Sequence, residues 1–353
     1  MLADSFTLTQ YQIAGHGQRN FKILQEALKA HEGYELADVY GTGESINAFE
    51  QKMAAFLGKE AAIFFPSGTM AQQIAVRIWC DQTTSKKVAY HPMCHLEIHE
   101  QKGLKELHGI EGVLLGEATR LFNLDDLKQM EEVGAVVYEL PQREIGGQLS
   151  SFEALEEMTS YCHDKKLPCH LDGARLFECL PFYEKEASEI SALFDSVYVS
   201  FYKGIGGIAG AILAGTSEFI QTAKIWKRRH GGDLISLYPY VVAADYYFEQ
   251  RKNNMAGYVQ SAKELAALFN LVPSIKVIPE VPVTNMFHVH WYDTKDTIEG
   301  VLDEICRKYS VGLSSYVREI DANHGYFEVS IGDLYEKIPK DTLRQVFEFL
   351  GSR

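Results

Sequence analysis

The N-terminal part of the chain alternates between helical and extended hydrophobic patterns. A helix with a glycine cap is predicted by the spacing of Ile46, Phe49, Met53, Phe56 and Gly58. The wholly apolar run at 61–65 predicts a strand directly afterwards. The turn at 66–69 then opens a second predicted helix over 70–79. The first backbone N–H groups of that helix have no partner inside it.

The alternation continues toward residue 215. Short apolar runs predict strands at 113–115, 135–139, 168–171, 196–201 and 211–214. Ser150 and Glu153 form a capping-box pattern at the start of a helix between two of these strands. Strands that alternate with helices predict the α/β class, with a mixed, mostly parallel sheet covered by helices on both faces. Such a sheet binds ligands at the carboxyl ends of its strands.

The pattern changes after about residue 257. A strand over 284–291, a helix over 297–309 and a terminal helix over 341–350 predict a smaller α+β domain. The predicted divisions are an N-terminal segment at 1–34 (part of the small domain or a dimer arm), a large cofactor-binding domain at 35–256 and a small domain at 257–353. One continuous domain with a helical tail is the alternative.

Charge and composition narrow the class of partner. The 353 residues include 34 Lys and Arg against 48 Asp and Glu, a formal net charge of −14. A surface of that sign repels nucleic-acid phosphates and anionic lipids. Because 46% of the residues are hydrophobic and 23% are charged, the composition is that of a folded globular protein. We expect neither nucleic-acid nor membrane partners.

The cysteines and the N-terminal residues indicate the cellular compartment of the protein. The six cysteines include no CxxC pair and lie in apolar or helical patterns, which predicts reduced, buried thiols. The sequence has no apolar run of roughly 18 residues, the length of a membrane span, and no basic N-terminal region followed by an apolar core. We therefore expect a cytoplasmic protein.

Two charged residues follow apolar strands. Asp172 comes directly after the strand at 168–171, and Lys203 follows the strand at 196–201 and is flanked by glycines. A lysine in that setting can lose its proton by desolvation and form an imine with an aldehyde. An aspartate can pair with a pyridinium nitrogen. Together they point to pyridoxal 5′-phosphate (PLP), although each alone is also explained as a solvated loop lysine or a capping aspartate.

The turn before the second helix adds a place for a phosphate. Ser67, Gly68 and Thr69 offer hydroxyls, backbone N–H groups and a helix N-terminus to an anion. Ser200, at the end of the strand before Lys203, offers a further hydroxyl. The three features together favour PLP over the separate structural explanations.

Four segments, in this order along the chain, resemble a known family. They are Asp38-Val-Tyr-Gly41, Gly58-Lys-Glu-Ala-Ala-Ile-Phe-Phe-Pro-Ser-Gly-Thr69, His170-Leu-Asp-Gly-Ala-Arg-Leu-Phe177 and Ser200-Phe-Tyr-Lys-Gly204. Over roughly residues 35–290 the sequence resembles the threonine aldolases, which belong with the β-eliminating lyases among fold-type-I PLP enzymes. The resemblance implies a PLP-dependent transferase-like fold. Its large domain would hold a mixed, mostly parallel sheet between helices, followed by a smaller α+β domain.

The resemblance also implies roles for single residues. It places the imine with PLP at Lys203, the partner of the ring nitrogen at Asp172 and the phosphate at Gly68 and Thr69. Arg175 would contact the phenolic oxygen of the ring or the substrate carboxylate. Tyr40 would reach the site of a neighbouring subunit, because family members are dimers or tetramers with shared active sites. A homodimer or homotetramer is therefore implied.

His91, His95 and His99 are four residues apart and would share one face of a helix. With a neighbouring thiol or carboxylate they allow a zinc site, but their spacing matches none of the usual ligand patterns. We therefore predict no metal, and a core or surface histidine is the plain alternative. The family comparison favours His95 stacking on the pyridine ring, with Glu100 at the position of a family glutamate. An imidazole there can act as acid or base near neutral pH.

Two regions depart from the family pattern. The segment Gly15-His-Gly-Gln-Arg-Asn20 lacks the Ser-Asp-Thr-Val-Thr-like run of the family, and the loop that typically reads Glu-Asn-Thr-His-Asn-Gly is Glu139-Leu-Pro-Gln-Arg-Glu-Ile-Gly-Gly147. The family histidine expected to contact the substrate hydroxyl is replaced by Ile145 or displaced by an insertion. The small-domain arginine of the family falls near Phe327, where only Arg318 is close enough to substitute.

A basic stretch at 224–230 stands out in an acidic sequence. Its simplest interpretation is a solvated helix face. Because the family counterpart lies close to the active site, Arg228 is also a candidate to contact a substrate carboxylate or the phosphate of a neighbouring subunit.

The resemblance, together with these observations, implies a lyase that cleaves a β-hydroxy-α-amino acid such as L-threonine or L-allo-threonine into glycine and an aldehyde by retro-aldol cleavage. Candidate bases for the β-hydroxyl are His95, Lys203 once released from the cofactor, and His16. Two alternatives stay open. They are β-elimination on the same cofactor, which gives a keto acid and ammonia, and a non-catalytic PLP-binding protein.

Overall fold

A computed structural model of the chain describes residues 2–31 and 35–353. The chain divides into two compact units. The C-terminal unit comprises Met1–Gln18, Ile145–Gln148 and Asn254–Arg353, and the central unit comprises Arg19–Glu144 and Leu149–Asn253. The divisions predicted at 34/35 and 256/257 stay predictions, and residues 32–34, at the first of them, lie outside the described residues.

The strands and helices have the following bounds. The strands are β1 (Tyr11–Gln12), β2 (Ala61–Phe65), β3 (Lys87–Tyr90), β4 (Glu111–Leu114), β5 (Ala135–Glu139), β6 (Cys169–Gly173), β7 (Ser196–Ser200), β8 (Ala211–Gly215), β9 (Ile275–Ile278), β10 (Met286–Trp291), β11 (Val311–Gly312), β12 (Arg318–Asp321) and β13 (His324–Ser330). The helices are α1 (Leu2–Thr7), α2 (Phe21–Lys29), α3 (Glu44–Phe56), α4 (Gly68–Gln82), α5 (His95–Ile98), α6 (Gly103–His108), α7 (Leu124–Gln129), α8 (Phe152–Asp164), α9 (Leu176–Tyr183), α10 (Ala187–Ala192), α11 (Ser217–Arg229), α12 (Tyr238–Arg251), α13 (Met255–Asn270), α14 (Lys295–Tyr309) and α15 (Lys340–Gly351). Two short 3₁₀ turns are η1 (Arg143–Ile145) and η2 (Tyr335–Lys337).

A seven-stranded sheet forms the middle of the central unit, in the order β2-β8-β7-β6-β5-β3-β4. Strand β8 pairs antiparallel with β2 and β7, and the other neighbours are parallel. The mixed, mostly parallel sheet predicted from the sequence is confirmed. Strand β3 is not predicted, because its apolar run spans only Val88–Tyr90 and is too short to give a signal.

Helix α4 packs across this sheet and supplies much of its core. Ten of its 15 residues are buried, so the helix faces protein on most of its surface rather than along one stripe. The ring of Trp79 stacks on Phe219 of α11 with 4.8 Å between ring centroids. Its indole N–H donates to Oγ of Ser196 in β7 (2.7 Å). Burial of each large apolar side chain contributes about 1.5–3 kcal/mol, which holds α4 firmly against the strands.

The C-terminal unit has a small core of its own. A four-stranded antiparallel sheet, in the order β12-β13-β10-β9, packs against α13. Phe269 of α13 contacts Phe287, Phe327 and Phe347, with ring centroids 5.0–6.3 Å apart. Phe327, where the family comparison places an arginine, is therefore a fully buried core residue. The smaller α+β domain predicted from the sequence is confirmed in its architecture.

The cysteines are distributed over both units. All six are buried and their thiols are free, so the predicted burial is confirmed. Burial raises the pKa of the Cys80 and Cys306 thiols to about 11. Within the described part of the chain, no helix combines the length and the hydropathy required to cross a bilayer.

Gly68 opens α4 at a point where no side chain fits. A Cβ at this position would overlap the phenol of Tyr198, which is buried in β7. We therefore expect Gly68→Ala to lower the free energy of unfolding by about 1–3 kcal/mol, the typical cost of overpacking. Chemical denaturation measures this change.

Gly300 provides the matched control. It lies within α14, and its Cβ would point into open space. Gly300→Ala should therefore stabilise the fold by about 0.5–1 kcal/mol, the helix preference for alanine over glycine. Equal effects of the two substitutions would contradict the close contact at Gly68.

Candidate active site

Charged residues converge at the carboxyl edge of the central sheet. Glu139 ends β5 and pairs in register with Asp172 in β6. Lys203 follows the end of β7 closely in sequence. A cleft at this edge is lined by these three residues and by others that include His95, His99, Ala174, Arg175, Arg143 and Glu144. The structure therefore brings four of the predicted site residues together: Lys203, Asp172, His95 and Arg175.

The carboxylate of Asp172 is buried and oriented by two donors. Its Oδ1 accepts the backbone N–H of Ala174 (3.1 Å), and its Oδ2 accepts from the side-chain amide of Gln72. Gln72 lies near the start of α4, and its amide oxygen is 3.3 Å from Nε2 of His170. Helix α4 therefore fixes the direction in which Asp172 presents its carboxylate to the cleft.

Lys203 lies on a tightly folded, glycine-rich turn. Gly206 donates its N–H to the carbonyl of Lys203 (2.9 Å), and a Cβ at Gly204 would overlap the carboxylate of Glu178. Burial lowers the pKa of the Lys203 amine from its ordinary value, against the attraction of Asp172. A larger fraction of the amine is thereby neutral and nucleophilic.

His95 opens the short helix α5 and is held by both its backbone and its ring. Its N–H donates to Oε2 of Glu139 (3.0 Å), and its Nδ1 lies 3.1 Å from Oε1 of Glu100. The buried Glu100 also accepts from Gln73 of α4 (2.8 Å). Burial by itself lowers the pKa of His95, but the hydrogen bond to Glu100 and the charge of Asp172 outweigh it, so the pKa is raised. The imidazole can therefore exchange a proton near neutral pH.

Glu139 adds a second acid in contact with His95. Its Oε1 also accepts the backbone N–H of Arg143 (3.4 Å). Desolvation raises the pKa of the Glu139 carboxyl to about 7, and the neighbouring charge of Asp172 adds to the rise. A carboxyl group that titrates near neutrality can take up or give a proton.

The predicted phosphate site lies at the N-terminus of α4. Ser67 is the N-cap residue, its hydroxyl makes no cap bond to the helix, and the helix starts at Gly68. The first N–H groups of a helix have no partner inside it, and the helix dipole favours an anion there. Thr69 adds a hydroxyl in the first turn. The Ser200 hydroxyl, in contrast, donates to the carbonyl of Ala174 (2.8 Å) and is already engaged.

Arg175 lies in the cleft at the start of α9, as its N-cap residue. Its Nη1 is 3.5 Å from Oε1 of the buried Glu178. The guanidinium shares the cleft with Asp172 and Lys203. The proposed contact of Arg175 with a ring oxygen or a substrate carboxylate stays a prediction.

Tyr40 and Arg228 meet each other instead. The Arg228 guanidinium lies 4.6 Å from the centroid of the Tyr40 ring, and both side chains are exposed. Neither Tyr40 nor Arg228 is among the described residues that line the cleft around Lys203. Arg318 lies in β12 of the C-terminal unit, is exposed, and donates to the hydroxyl of Tyr326 (3.2 Å). The roles of these three residues in substrate binding stay predictions.

The predicted stripe of three histidines is broken at its first member. His91 precedes α5, and its Nε2 lies 2.7 Å from the carbonyl oxygen of Arg120. His99, just after α5, stays beside His95 with 5.1 Å between ring centroids. Two imidazoles therefore face the cleft, and the third is bound elsewhere.

Several residues of the cleft are not predicted from the sequence. Nε2 of His99 lies 2.9 Å from Oε1 of Glu144, and Nη1 of Arg143 lies 3.0 Å from the same oxygen. Ile145, the expected replacement of the family histidine, is buried. No spacing rule connects His99 with Glu144, which only the fold brings together. A signal did exist for Glu139, which ends a buried strand where α/β proteins place functional groups.

Known proteins resemble this chain in sequence and in structure. The family model described as "Beta-eliminating lyase" matches residues 22–292. A crystal structure from Listeria monocytogenes, provisionally described as an L-allo-threonine aldolase, is 55% identical with a TM-score of 0.98, covering 99% of this chain and 98% of that one. A crystal structure from Exiguobacterium, provisionally described as an aromatic amino acid β-eliminating lyase/threonine aldolase, is 52% identical with a TM-score of 0.98, covering 99% of both chains.

A more distant relative carries a similar description. Low-specificity L-threonine aldolase 1 of Arabidopsis thaliana is 27% identical over 267 residues, covering 72% of this chain and 74% of that protein. The fold defines an enzyme of the fold-type-I class, and a structure with this fold, 17% identical with a TM-score of 0.69, is described as SPT with a PLP internal aldimine. The chain belongs to the threonine aldolase and β-eliminating lyase family.

The raised pKa of Glu139 makes stability depend on pH. Between the ordinary pKa of glutamate and about 7, the folded chain holds a proton that the unfolded chain has released, so stability falls as the pH rises through this window. Glu139→Gln mimics the protonated carboxyl and removes this loss. Between about pH 5 and pH 8 we expect the free energy of unfolding of the variant to rise by on the order of 1–3 kcal/mol relative to that of the wild type.

Scanning calorimetry without added ligand measures this gain as a difference in melting temperature. Glu153→Gln, at an exposed position in the first turn of α8, is the control for a change of glutamate to glutamine at the surface. A difference between wild type and Glu139→Gln that stays constant or shrinks with rising pH contradicts the raised pKa.

Proposed function

We propose that the chain is a PLP-dependent carbon–carbon lyase. It cleaves a β-hydroxy-α-amino acid of the L-threonine or L-allo-threonine type into glycine and an aldehyde. The observation that carries this proposal is the meeting of Lys203, Asp172 and His95 in one cleft at the carboxyl edge of the sheet. The Listeria protein, 55% identical along almost the whole chain, carries a description with the same reaction and supports it.

The residues present fit PLP as the cofactor. Lys203, whose amine loses its proton more readily because of burial, would bind the aldehyde, and Asp172 would pair with the ring nitrogen. The N-terminus of α4 at Ser67, Gly68 and Thr69 offers hydrogen-bond donors to the phosphate. When bound, PLP supplies an electron sink for bond cleavage at the substrate Cα.

The chain itself must move protons. His95, anchored by Glu100, would pack against the cofactor ring and exchange protons there. Lys203 can accept a proton once the substrate amine has displaced it. His16 stays a candidate base, and within the C-terminal unit its Nδ1 lies 3.2 Å from Oδ2 of Asp333. Removal of the β-hydroxyl proton starts the cleavage, and a proton delivered to Cα completes glycine.

The substrate carboxylate requires a cation. We assign Arg175 to this carboxylate or to the phenolic oxygen of the cofactor, because its guanidinium lies in the cleft. Tyr40, Arg228 and Arg318 are assigned to substrate binding on the family resemblance alone. The exposed pair of Tyr40 and Arg228 suits a contribution to a neighbouring subunit's site. We accordingly propose a cytoplasmic homodimer or homotetramer with shared sites and no nucleic-acid or membrane partner.

β-Elimination is the second candidate function. The description of the Exiguobacterium relative, 52% identical, names both an aromatic amino acid β-eliminating lyase and a threonine aldolase. In elimination the Cα proton leaves first, and the products are a keto acid and ammonia. The same lysine and aspartate would serve either reaction.

Product analysis tests the proposal. The purified protein is supplied with PLP and with L-threonine or L-allo-threonine, and acetaldehyde, glycine and 2-oxobutyrate are measured. Acetaldehyde and glycine in equal amounts support retro-aldol cleavage. The keto acid alone supports elimination, and a bound chromophore without any product indicates a non-catalytic PLP-binding protein.

Lys203→Ala should abolish both the cofactor spectrum and the reaction. The amine is the group on the chain that can join the aldehyde in this cleft, so the absorbance band of the bound cofactor should disappear. Product formation should fall by at least about 10³-fold, since a covalent catalyst is removed. Borohydride reduction of wild type followed by peptide mapping should place the label on the peptide of Lys203.

Lys263→Ala is the matched control, because Lys263 is an exposed lysine of α13. It should keep the wild-type spectrum and rate. A label on any other lysine, or a Lys203→Ala variant that keeps the absorbance band, would falsify the assignment.

A further inference from the structure

A second pair of histidine and glutamate lies beside His95 in the cleft. Nε2 of His99 is 2.9 Å from Oε1 of Glu144, and the His95 and His99 ring centroids are 5.1 Å apart. Both imidazoles and Glu144 line the cleft that contains Lys203. The assignments made so far use His95 and leave the second pair without a role.

The contact with Glu144 fixes which nitrogen of His99 is basic. An ionised carboxylate accepts hydrogen bonds and donates none, so the proton of the neutral imidazole lies on Nε2. The lone pair is then on Nδ1, for which the described residues supply no hydrogen-bond partner. His99 thus keeps one nitrogen anchored and the other basic, as a general base requires.

Glu144 is itself held in place. Its side chain is 6% exposed, and Nη1 of Arg143 lies 3.0 Å from the oxygen that faces His99. A buried carboxylate is costly unless it is paired, and the guanidinium and the imidazole N–H both pair with it. Glu144 therefore offers His99 a carboxylate oxygen that is fixed in position.

The two imidazoles have different anchors. His95 is held by Glu100 and Glu139, and the charges of Asp172 and Lys203 act on it. His99 stands one turn further along the chain and is anchored to η1 instead. The charged or titratable groups that share the cleft with His99 are His95, Glu139, Arg143, Glu144, Asp172, Arg175 and Lys203. Of these groups, Asp172 and Lys203 are the expected partners of the cofactor and act on His95, which leaves His99 for the substrate.

We propose that His99, positioned by Glu144, accepts the β-hydroxyl proton of the substrate. This inference rests on the proposed lyase function. The hydroxyl proton moves to Nδ1 of His99, the electron pair of the O–H bond completes the carbonyl group, and the Cα–Cβ bond breaks to release the aldehyde. The electron pair of that bond stays with the glycine half until Cα takes up a proton. His99 then returns its proton to water.

The first test separates carbon–carbon cleavage from reactions at Cα. In His99→Gln we expect kcat for aldehyde release from L-threonine or L-allo-threonine to fall about 100-fold or more, the lower end of what a general base contributes. Exchange of the glycine Cα protons with deuterium oxide involves no hydroxyl and should stay within about threefold of wild type. The absorbance of bound PLP should not change.

Two further variants serve as a second test and as a control. Glu144→Gln keeps the side-chain volume but removes the charge that orients His99, and it should reduce aldehyde release by about tenfold or more. His163→Gln is the matched control, because His163 also faces a carboxylate, with 3.3 Å from Nε2 to Oδ2 of Asp195, but lies exposed on α8. It should leave both rates unchanged.

A measurement without turnover tests the same geometry. Nitrogen-15 chemical shifts of the His99 imidazole in the wild-type holoenzyme are assigned by their absence in His99→Gln. They should show a protonated Nε2 and an unprotonated Nδ1, and Glu144→Gln should weaken this preference. A proton on Nδ1 overturns the assignment.

The outcomes distinguish this inference from the proposed function. Wild-type protein that releases no aldehyde from either substrate overturns both. Aldehyde release by wild type, with His99→Gln within about threefold of it, overturns the role of His99 alone. A parallel loss of cleavage and glycine exchange in His99→Gln indicates a merely structural role and also overturns it.

Discussion

The hydrogen bond from Gln72 to Asp172 ties the carboxyl edge of the central sheet to helix α4. The same helix presents its N-terminus at Gly68. Gln73, the residue after Gln72, donates to Glu100, which anchors His95. One helix therefore sets the positions of the proposed phosphate donors, the proposed partner of the ring nitrogen and an imidazole. Because buried amides are costly without partners, Gln72 and Gln73 confine the carboxylates to the geometry that satisfies them.

The electrostatics of the cleft follow from how closely these groups are packed. Glu139 and Asp172 occupy paired positions on adjacent strands. Because Glu139 is desolvated and lies close to the charge of Asp172, its carboxyl group keeps its proton more readily. Lys203 is enclosed in the same space and releases its proton more readily. Acid and base character near neutral pH thus arises from burial and proximity rather than from unusual residue types.

Local signals in the sequence predict part of this arrangement. Asp172 and Lys203 each follow an apolar run, and an α/β sheet collects the ends of such runs at one edge, so these two residues and the sheet itself could be predicted. The pair of His99 and Glu144 could not, because it depends on where η1 lies after β5. Phe327 shows the converse, since sequence register suggested a polar site where the structure has a core position.

Burial of all six cysteines has a practical consequence for handling the protein. A thiol-specific dye has no surface position to react with while the chain is folded, because burial denies it access to every thiol. The native cysteines thus act as internal reporters of global opening, whose labelling rate follows the unfolded fraction. A single cysteine introduced at the surface could then carry a fluorophore without interference from the natural ones.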